Sequence, residues 1–349
     1  MIALEKRTGL ITMIGEIFRD LSSDHPGVYK QEYDSLQAVL DKIQSANPWF
    51  TPFSVKHSIK VWGQTLTYSN VSEWAASYRL NDTRREIKRV NVIMAGNLPL
   101  VGFHDFLSVL ITGYKFIGKM SSKDNILFPL ISDWIFNYDK TWEDYIDLKT
   151  EIDTEPQILI ATGSNNTSRL IKGKYPGIPS IIRHNRNSIG VVKGDETKED
   201  LELLAQDIML HYGLGCRNIS LLFIPSRWEI KALVNTIKDF EIPLPEPYLN
   251  NLKYQKAKLT INKIKYIDAG KMLLLYGDLL HSPLGTVNLM KYDSIDEIRT
   301  FININKGNIQ CTAGSPAYIQ GAIPFGESQS PDLMDYADGI DTVQFLLGN

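Results

Sequence analysis

Apolar residues recur three and four positions apart in the first part of the chain, which is the spacing of amphipathic helices. This spacing covers Ile11–Leu21, Gln31–Ile43 and Val71–Leu80. Between these segments, Asn47–Phe53 reads NPWFTPF, and its prolines and aromatic side chains predict aromatic packing under a connecting loop. Residues 1–90 are therefore predicted to be mostly helical.

From Val90 onward the pattern changes to short apolar runs that alternate with helical patterns. The predicted strands are Val90–Ala95, Tyr114–Met120, Gln157–Ala161, Ser188–Val192, Ile219–Ile224 and Lys271–Tyr276. One predicted helix ends at Thr112, and four others cover Asn125–Phe136, Thr197–His211, residues 227–239 and Ser294–Phe301. Strands that alternate with helices of this length predict an α/β fold with parallel sheets covered on both faces.

Local signals mark some of the element boundaries. Thr197 with Asp200, and Ser226 with Glu229, have the Ser/Thr-x-x-acid spacing that caps a helix N-terminus. The Pro- and Asn-rich segment Ile242–Tyr254 predicts a surface excursion, and the final DTVQFLLGN predicts a terminal helix or strand.

Composition excludes several classes of protein. The 349 residues are 43% hydrophobic and 22% charged, with a net charge of -3, and this balance predicts neither a nucleic-acid partner nor an anionic-membrane surface. Two cysteines, Cys216 and Cys311, suit a reducing compartment, and no signal peptide or membrane span is expected. The six histidines lack metal-ligand spacing, so no metal site is predicted. We expect a cytoplasmic protein.

Cys216 is the strongest candidate for chemistry because it lies on a glycine-lined turn, YGLGCRNIS, between a helix and a strand. Glycines allow a ligand to approach the backbone closely, and the neighbouring Arg217 favours the nucleophilic thiolate. The alternative is a buried structural cysteine, since free cysteine is among the most buried residue types.

Further candidates lie at strand ends, where parallel α/β sheets bind ligands. After the third predicted strand, TGSNNTSR could cradle a phosphate, with a glycine for the tight turn and hydroxyls and amides as donors, or Ser164 or Thr167 could cap a helix. Lys119 could reach a ribose or phosphate, or be an exposed lysine. Asn97 could donate to an oxyanion or hold its turn.

Taken in order, these segments resemble motifs of the aldehyde dehydrogenase superfamily over roughly residues 90–345. AGNLPLVG is similar to the Pro-Trp-Asn-Phe-Pro turn, KMSS to Lys-Pro-Ser-Glu, TGSNNTSR to Thr-Gly-Ser-Thr-Glu-Val-Gly-Arg, GLGC to Gly-Gln-x-Cys and IPFG to Pro-Phe-Gly. The closer resemblance is to the acyl-CoA reductase branch typified by the fatty-acid reductase of luminous bacteria.

The resemblance implies a Rossmann-type cofactor domain and an α/β catalytic domain with the active site between them. It assigns residues 1–182 to the N-terminal helices and cofactor domain, 183–322 to the catalytic domain, and 323–349 to a segment returning to the cofactor domain or a subunit interface. The implied catalytic residues are Cys216 as nucleophile and Asn97 as oxyanion donor. The implied cofactor contacts are Lys119, Ser122, Gly163, Ser164 and Phe325.

Three departures from the family pattern refine this expectation. Arg183 stands where hydrolytic members carry the glutamate that activates water, so a thiol or phosphate is the more natural acyl acceptor. Ser122 replaces an acid beside the adenosine ribose, which removes the repulsion against a 2′-phosphate, so the implied cofactor is NADPH or else NADH. HSPLGT, with Ser282, replaces the second glutamate. Arg183 and Arg217 could contact the phosphates of CoA, or be ordinary surface arginines.

The implied reaction is reduction of an acyl-CoA, with acyl-CoA as the partner molecule. The same residues would suit a CoA-acylating aldehyde dehydrogenase, an acyl-phosphate reductase, or a non-catalytic scaffold relative. Little chain precedes Asn97 for the family's oligomerising hairpin, so the resemblance leaves a homo-oligomer open.

Overall fold

The computed structural model describes residues 2–23, 27–80, 86–152, 156–163 and 165–349. The chain divides into two compact units. Unit 1 consists of Met1–His184 and Pro331–Asn349, and unit 2 consists of Asn185–Ser330. The sequence-based division at residues 182 and 322 placed both boundaries slightly earlier in the chain. The functional roles given to those domains remain predictions.

Unit 1 begins with the predicted helical region. Its helices are α1 (Leu4–Leu21), α2 (Lys30–Ala46), α3 (Pro52–Thr65) and α4 (Tyr68–Ala76). The segment NPWFTPF was predicted to be a connecting loop, but α3 starts at Pro52, so the prediction was wrong for its last two residues. A proline is tolerated at the first helical position, and the Thr51 side chain accepts the backbone N–H of Ser54 as a cap.

Helices α1 and α3 approach so closely that glycine is required where they cross. A Cβ atom at Gly15 would overlap Leu66, and one at Gly63 would press on the backbone of Phe18 and Arg19. The Arg19 guanidinium donates to the carbonyls of Gly63 (2.6 Å) and Leu66 (3.1 Å). Both glycines therefore have a packing role that apolar periodicity does not show.

The sheet of unit 1 is parallel, with strand order β3-β2-β1-β4-β5. Its strands are β1 (Arg89–Ile93), β2 (Lys115–Lys119), β3 (Ile146–Lys149), β4 (Ile158–Thr162) and β5 (Ser180–Arg183). Its helices are α5 (Phe103–Thr112), α6 (Leu127–Tyr138) and α7 (Asn165–Lys174). Strands β3 and β5 were not predicted, because each is short and only partly buried.

Unit 2 contains a mixed sheet with strand order β11-β6-β7-β10-β9-β8. Its strands are β6 (Asn187–Val191), β7 (Ile219–Pro225), β8 (Ile267–Asp268), β9 (Leu273–Tyr276), β10 (Thr286–Tyr292) and β11 (Ile309–Ala313). Its helices are α8 (Lys198–Met209), α9 (Lys231–Asp239), α10 (Glu246–Ile261) and α11 (Ile295–Asn305). The pair β8–β9 is antiparallel, and the neighbouring pairs are parallel. The predicted α/β fold is confirmed.

Two local predictions in unit 2 were wrong. Ser226 and Glu229 do not cap α9, which starts at Lys231 after Ile230; the Ser226 hydroxyl instead donates to the Tyr292 carbonyl. The segment predicted as a surface excursion contains the start of α10, where Pro245 and Pro247 precede and open the helix. Here the prolines act as helix-start residues rather than as breakers.

The C-terminal segment returns to unit 1 and ends in helix α12 (Thr342–Gly348), one of the two predicted alternatives. Val343 and Leu346 of α12 are buried. The Tyr336 hydroxyl accepts from Trp74 Nε1 (2.7 Å), and the Tyr78 hydroxyl donates to the Asp341 carboxylate (2.8 Å). Trp74 of α4, and Tyr78 just after this helix, therefore hold the C-terminal segment on unit 1.

Candidate active site

Three loops that carry predicted site residues meet at one edge of the unit 1 sheet. In the register of the sheet, Ile93 of β1 lies beside Lys119 of β2 and Ala161 of β4, so these strands end side by side. The connection after β1 leads to β2, whereas β4 and β5 continue on the other side of β1. The β1–β4 boundary is therefore the topological switch point, where open α/β sheets bind ligands.

Asn97 is exposed on the loop after β1, and a buried amide fixes that loop. Asn47 donates through Nδ2 to the carbonyls of Gly96 and Lys123, both at 3.2 Å. A Cβ atom at Gly96 would overlap Ser121, so the loops after β1 and β2 touch where glycine is required. The turn that presents Asn97 is thus rigidly joined to the loop that carries Ser122.

Lys119 and Ser122 lie at the end of β2 and on the loop after it. Lys119 is half-buried, and within the described part of the chain its ammonium pairs with no carboxylate. Ser122 is exposed. The buried Asp124 accepts the backbone N–H groups of Leu100 and Leu127, and burial raises the pKa of its carboxyl to about 7. Asp124 therefore links its own loop, after β2, to the loop after β1 and to the start of α6.

Gly163 follows β4 directly and precedes the N-terminus of α7. Ser164, the other predicted pyrophosphate contact, lies outside the described residues. The first turn of a helix has unpaired N–H groups and a partial positive charge, which favour an anion. Gly163 and Lys119 therefore follow or end neighbouring strands on either side of β1, and their contact with a phosphate-containing group stays a prediction.

Cys216 is exposed on the turn between α8 and β7 of unit 2. The Ser188 hydroxyl donates to the Cys216 carbonyl (2.9 Å), and Asn218 accepts the N–H of Gly215 through Oδ1 (2.9 Å). The Asn218 amide also donates to the Leu210 carbonyl at the end of α8 (2.5 Å). These contacts fix the turn on both sides of the thiol, and exposure contradicts the alternative of a buried structural cysteine.

The backbone before this turn has an unusual conformation. His211, Tyr212 and Gly213 have φ values of 53°, 61° and 81°, in the left-handed region that disfavours residues with a Cβ atom. Tyr212 is fully buried and packs against Tyr248, with ring centroids 6.0 Å apart. Burial of Tyr212 and the Asn218 bonds stabilise this strained path, which brings the chain sharply from α8 to Cys216.

Phe325 belongs to unit 2. The segment that carries it is held by α8, the helix that precedes the Cys216 turn. Asp207, fully buried in α8, accepts the N–H groups of Gly326 (2.8 Å) and Ser328 (3.1 Å) and the Ser328 hydroxyl (2.6 Å). Burial raises the Asp207 pKa to about 6. Sequence reasoning missed Asp207, although a carboxylate beside the apolar stripe of α8 was a signal for it.

Two links join the Cys216 turn to the Phe325 segment. Asn218 donates to the Asp207 carbonyl (3.2 Å), and Arg217 donates to the Ser328 carbonyl (3.3 Å). Arg217 therefore contacts the segment that carries Phe325, and its suggested contact with a CoA phosphate stays a prediction. Cys311, the other cysteine, lies on β11, with its Sγ atom 3.0 Å from the Ser188 hydroxyl.

The suggested contact of Arg183 with a CoA phosphate is contradicted. Its guanidinium is buried in unit 1, where it donates to the Asp105 carboxylate (2.5 Å) and to the Thr342 hydroxyl (2.9 Å). Ser282 is also buried, and its hydroxyl donates to the Thr286 carbonyl. Neither side chain is available at a surface.

Three further features of the described residues concern metal sites, other clefts and membrane-spanning helices. Among these residues, no group of three or more His, Cys, Asp or Glu side chains is placed to hold a metal ion. An open cleft of about 520 Å³ is lined by Tyr276–Asp278 and Leu289–Lys291, and none of the predicted site residues lines it. In the part of the chain that is described, no helix has the length and apolar character needed to cross a membrane.

No protein-family model and no curated protein sequence matches the chain. Its structure nevertheless resembles solved aldehyde dehydrogenases. Aldehyde dehydrogenase 21 from Physcomitrella patens, in complex with succinate, has a TM-score of 0.63 at 11% identity, over 99% of this chain and 86% of that chain. A Mycobacterium tuberculosis aldehyde dehydrogenase complexed with NAD+ has a TM-score of 0.60 at 11% identity, over 89% and 73%.

NADP-dependent glyceraldehyde-3-phosphate dehydrogenase from Bacillus halodurans C-125, complexed with NADP, has a TM-score of 0.56 at 14% identity, over 90% of this chain and 74% of that chain. At these identities the similarity shows the fold. The chain therefore has the α/β fold of the aldehyde dehydrogenases.

Proposed function

We propose that this protein is a nicotinamide-dependent oxidoreductase that reduces an acyl-CoA to an aldehyde through an acyl-Cys216 intermediate. The observation that carries the proposal is the exposed thiol of Cys216 on a turn fixed by Ser188 and Asn218, in a chain with this fold. A cysteine needed only for packing would be buried. An exposed thiol on a turn whose backbone is held by hydrogen bonds is suited to nucleophilic catalysis.

The unit 1 sheet edge suits a dinucleotide. Lys119, half-buried and without a carboxylate partner among the described residues, would bind a ribose or phosphate oxygen. Gly163 and the first turn of α7 would receive the pyrophosphate. The exposed Ser122 leaves room, without a negative charge, for a 2′-phosphate. The M. tuberculosis and B. halodurans proteins were crystallised with NAD+ and NADP, which supports this class of cofactor.

In the proposed reaction the Cys216 thiolate attacks the thioester carbonyl of the acyl-CoA. The resemblance assigns the resulting oxyanion to the Asn97 side chain and the Cys216 backbone N–H. The carbon–sulfur bond to CoA breaks, the CoA thiolate takes up a proton, and an acyl-Cys216 thioester remains. A reduced nicotinamide, when bound, supplies the hydride. Collapse of the Cys216 thiohemiacetal then releases the aldehyde and the thiolate.

The state of Arg183 supports transfer to and from CoA rather than hydrolysis. This residue stands at the position of the glutamate that activates water in hydrolytic members, and a guanidinium cannot act as a base at neutral pH. In this protein it is buried against Asp105. Without a base at that position, water is a poor acceptor and the acyl group remains available for reduction.

Intact mass spectrometry after incubation with a series of acyl-CoAs tests the proposal. Cys311 is the second of the two cysteines in the chain, so Cys311→Ala serves as the matched cysteine control. We expect an acyl adduct on the wild type and on Cys311→Ala, and none on Cys216→Ala. Added NADPH or NADH should discharge the adduct as aldehyde, and the chain length that labels best identifies the preferred acyl group.

The alternatives give different results in the same experiment. If no acyl-CoA labels the wild type but an acyl phosphate does, the protein is an acyl-phosphate reductase. If the adduct forms mainly from aldehyde, NAD(P)+ and CoA, oxidation is the favoured direction. If neither donor labels Cys216 and alkylation shows no selectively reactive thiol, the catalytic proposal is wrong and a scaffold relative remains.

A further inference from the structure

A lysine-rich surface at the end of α10 is not used by the proposed reaction. Between Glu246 and Asp268 the sequence contains five lysines and no acidic residue, although the whole chain has a net charge of -3. Large apolar side chains are exposed in the same stretch: Ile261 (79%), Tyr254 (61%) and Ile264 (48%). We call this surface the α10 patch; it consists of Lys253, Tyr254, Lys258, Ile261, Lys263, Ile264 and Lys265.

The apolar and cationic members of the patch share one side of the helix. The inner face of α10 is buried through Tyr248, Leu252, Gln255 and Leu259. Tyr254, Lys258 and Ile261 are spaced i, i+4 and i+7, which places them together on an outer stripe. The helix thus buries one apolar face and presents a second, mixed face to solvent.

The end of the helix extends this stripe. Lys263 has a φ of 55°, and its N–H donates to the Thr260 carbonyl (3.1 Å). The Ile264 N–H donates to the Leu259 carbonyl (2.9 Å), so the chain is turned back onto the last helical turn. Ile264 and Lys265 are therefore held next to the helix end that carries Ile261.

The patch lysines are available for an outside partner. Lys256 pairs with Asp268 (2.8 Å), and Lys271 donates to the carbonyls of Lys238 and Phe240. In the described ranges no carboxylate pairs with Lys253, Lys258, Lys263 or Lys265. Two of the neighbouring lysines are thus engaged locally, whereas the four in the patch face solvent.

We propose that the α10 patch docks this protein on an anionic lipid bilayer surface. Exposed aliphatic and aromatic side chains flanked by lysines fit such a surface, because the apolar groups enter the headgroup region while the ammonium groups stay near the anionic headgroups. Charge is unevenly distributed along the chain: the net charge of -3 predicts no anionic partner, but the α10 patch is positive.

Two other occupants fit the patch less well. A second copy of the same face would bring unpaired lysines against one another, and like charges disfavour this contact. A nucleic acid would use arginine for bidentate phosphate contacts and gains little from exposed isoleucines, whereas the patch contains lysine alone as its cation. The proposal does not depend on the proposed acyl-CoA reduction.

Vesicle sedimentation of the full-length protein tests the proposal. The vesicles contain phosphatidylcholine alone or phosphatidylcholine mixed with phosphatidylglycerol. We expect the wild type to sediment with the anionic vesicles, to prefer them over neutral ones, and to dissociate at high salt. The triple variant Lys253→Gln, Lys258→Gln, Lys263→Gln should bind about 100-fold more weakly, since each lysine near an anionic surface contributes about a fivefold gain.

Matched variants assign the effect to the patch. The control for charge is Lys6→Gln, Lys30→Gln, Lys198→Gln, which removes three exposed lysines elsewhere. The control for apolar insertion is Ile304→Ser, an equally exposed isoleucine on α11, beside Ile261→Ser. Both controls should bind like the wild type, and Ile261→Ser should bind more weakly at low and high salt.

Several results would overturn the proposal. These are no sedimentation of the wild type, equal binding to both vesicle types, or equal loss in the lysine control. Retention of single-stranded RNA without vesicle binding would assign the patch to nucleic acid instead. A dimer mass by light scattering that Ile261→Ser reduces to the monomer, without vesicle binding, would assign it to self-association.

Discussion

At the residue scale, two buried carboxylates act as anchors for backbone segments. Asp124 accepts the backbone N–H groups of Leu100, after β1, and Leu127, at the start of α6, and Asp207 accepts two N–H groups and one hydroxyl from residues 326–328. Burial raises the pKa of both. Each carboxylate satisfies loop donors, and ordered loops next to the candidate site residues are the result.

The Asp207 anchor can be tested by replacing Asp207 with asparagine. The amide keeps one acceptor oxygen, so either Gly326 or Ser328 faces an NH2 group instead of a carboxylate oxygen. Loss of a hydrogen bond to a charged group costs about 1.5–3 kcal/mol, so amide exchange in residues 326–328 should be about 10- to 100-fold faster. Hydrogen exchange with mass spectrometry measures this.

The control for Asp207→Asn is Glu199→Gln, which removes an exposed carboxylate from the same helix. Its exchange in residues 326–328 should equal that of the wild type. Unchanged exchange in Asp207→Asn would mean that packing, rather than the carboxylate, orders the Phe325 segment.

Asp124 predicts a pH dependence of stability. Its pKa is about 7 in the folded protein and 3.8 when unfolded, so the folded state takes up a proton first as the pH falls. Folding therefore becomes more favourable on acidification from about pH 8 to about pH 6, by about 1–2 kcal/mol from this group. Asp124→Asn should lose this part of the pH dependence.

Urea unfolding of the wild type and Asp124→Asn at several pH values gives the difference directly. The lowered pKa values of His57 and His104 favour the folded state at higher pH, but both histidines are present in each protein, and their effect cancels. Asp133→Asn, an exposed change on α6, serves as the control. A constant difference between wild type and Asp124→Asn across the range would contradict the prediction.

Ser122 offers a test of cofactor choice. A carboxylate at this exposed position would repel a 2′-phosphate, so Ser122→Glu should bind NADPH about tenfold more weakly and leave NADH nearly unchanged. Fluorescence titration with each cofactor measures the two dissociation constants. Ser121→Ala is not a suitable control because Ser121 packs against Gly96, so Ser122→Gln, which is uncharged, is used instead. If NADPH and NADH binding are weakened equally, the adenosine ribose does not lie beside residue 122.

At the element scale, the sequence predicted the structures whose signals are local. Strands β1, β2 and β7 are continuous buried runs, and α8 has an apolar stripe with a capping box, so their patterns are strong. Strand β10, whose apolar residues are interrupted by Thr286, Asn288 and Lys291, was missed, as was the edge strand β11. Helix α10 was missed because Pro245 and Pro247, which open it, also fit a loop.

The same distinction between local signals and long-range contacts applies to the residues of the candidate site. Cys216, Asn97, Lys119 and Gly163 were proposed as site residues because each lies on a turn or at a strand end with its own sequence signal. Asp207 and Asn218 were not, since their roles come from partners that are distant in the sequence or from backbone carbonyls. A one-dimensional pattern does not show which donors meet a buried polar side chain.

The two sequence-predicted helix caps make a matched test. Thr197 accepts the Asp200 N–H, and Asp200 accepts the Thr197 N–H, which completes a capping box for α8. Thr197→Ala should therefore lower the free energy of unfolding by about 1 kcal/mol. Glu229→Gln changes the acid of the apparent second box, which does not form, and should have no effect. Urea denaturation separates the two, and equal losses would contradict the assignment of the caps.

At the scale of the whole molecule, unit 1 is built from both ends of the chain. Arg183 lies at the end of β5, where the chain is about to leave unit 1, and Thr342 lies on the helix that returns to it. The Arg183 guanidinium donates to Thr342 and to Asp105 of α5. One buried cation thus joins the departing strand, the returning helix and a central helix.

This arrangement predicts strongly non-additive effects on the stability of unit 1. Arg183→Met leaves the Asp105 carboxylate buried without its cation, which should cost about 3–5 kcal/mol of unfolding free energy. Arg183→Met combined with Asp105→Leu replaces both charges by apolar groups and should recover most of that loss, because no unpaired charge remains. Thr342→Val removes only the neutral acceptor and should cost about 1 kcal/mol.

Denaturation of the single and double variants gives the coupling between the two charges. If the double variant is as unstable as the sum of its single changes, the ion pair does not act as a unit, and the returning helix is held by its apolar contacts at Val343 and Leu346 instead.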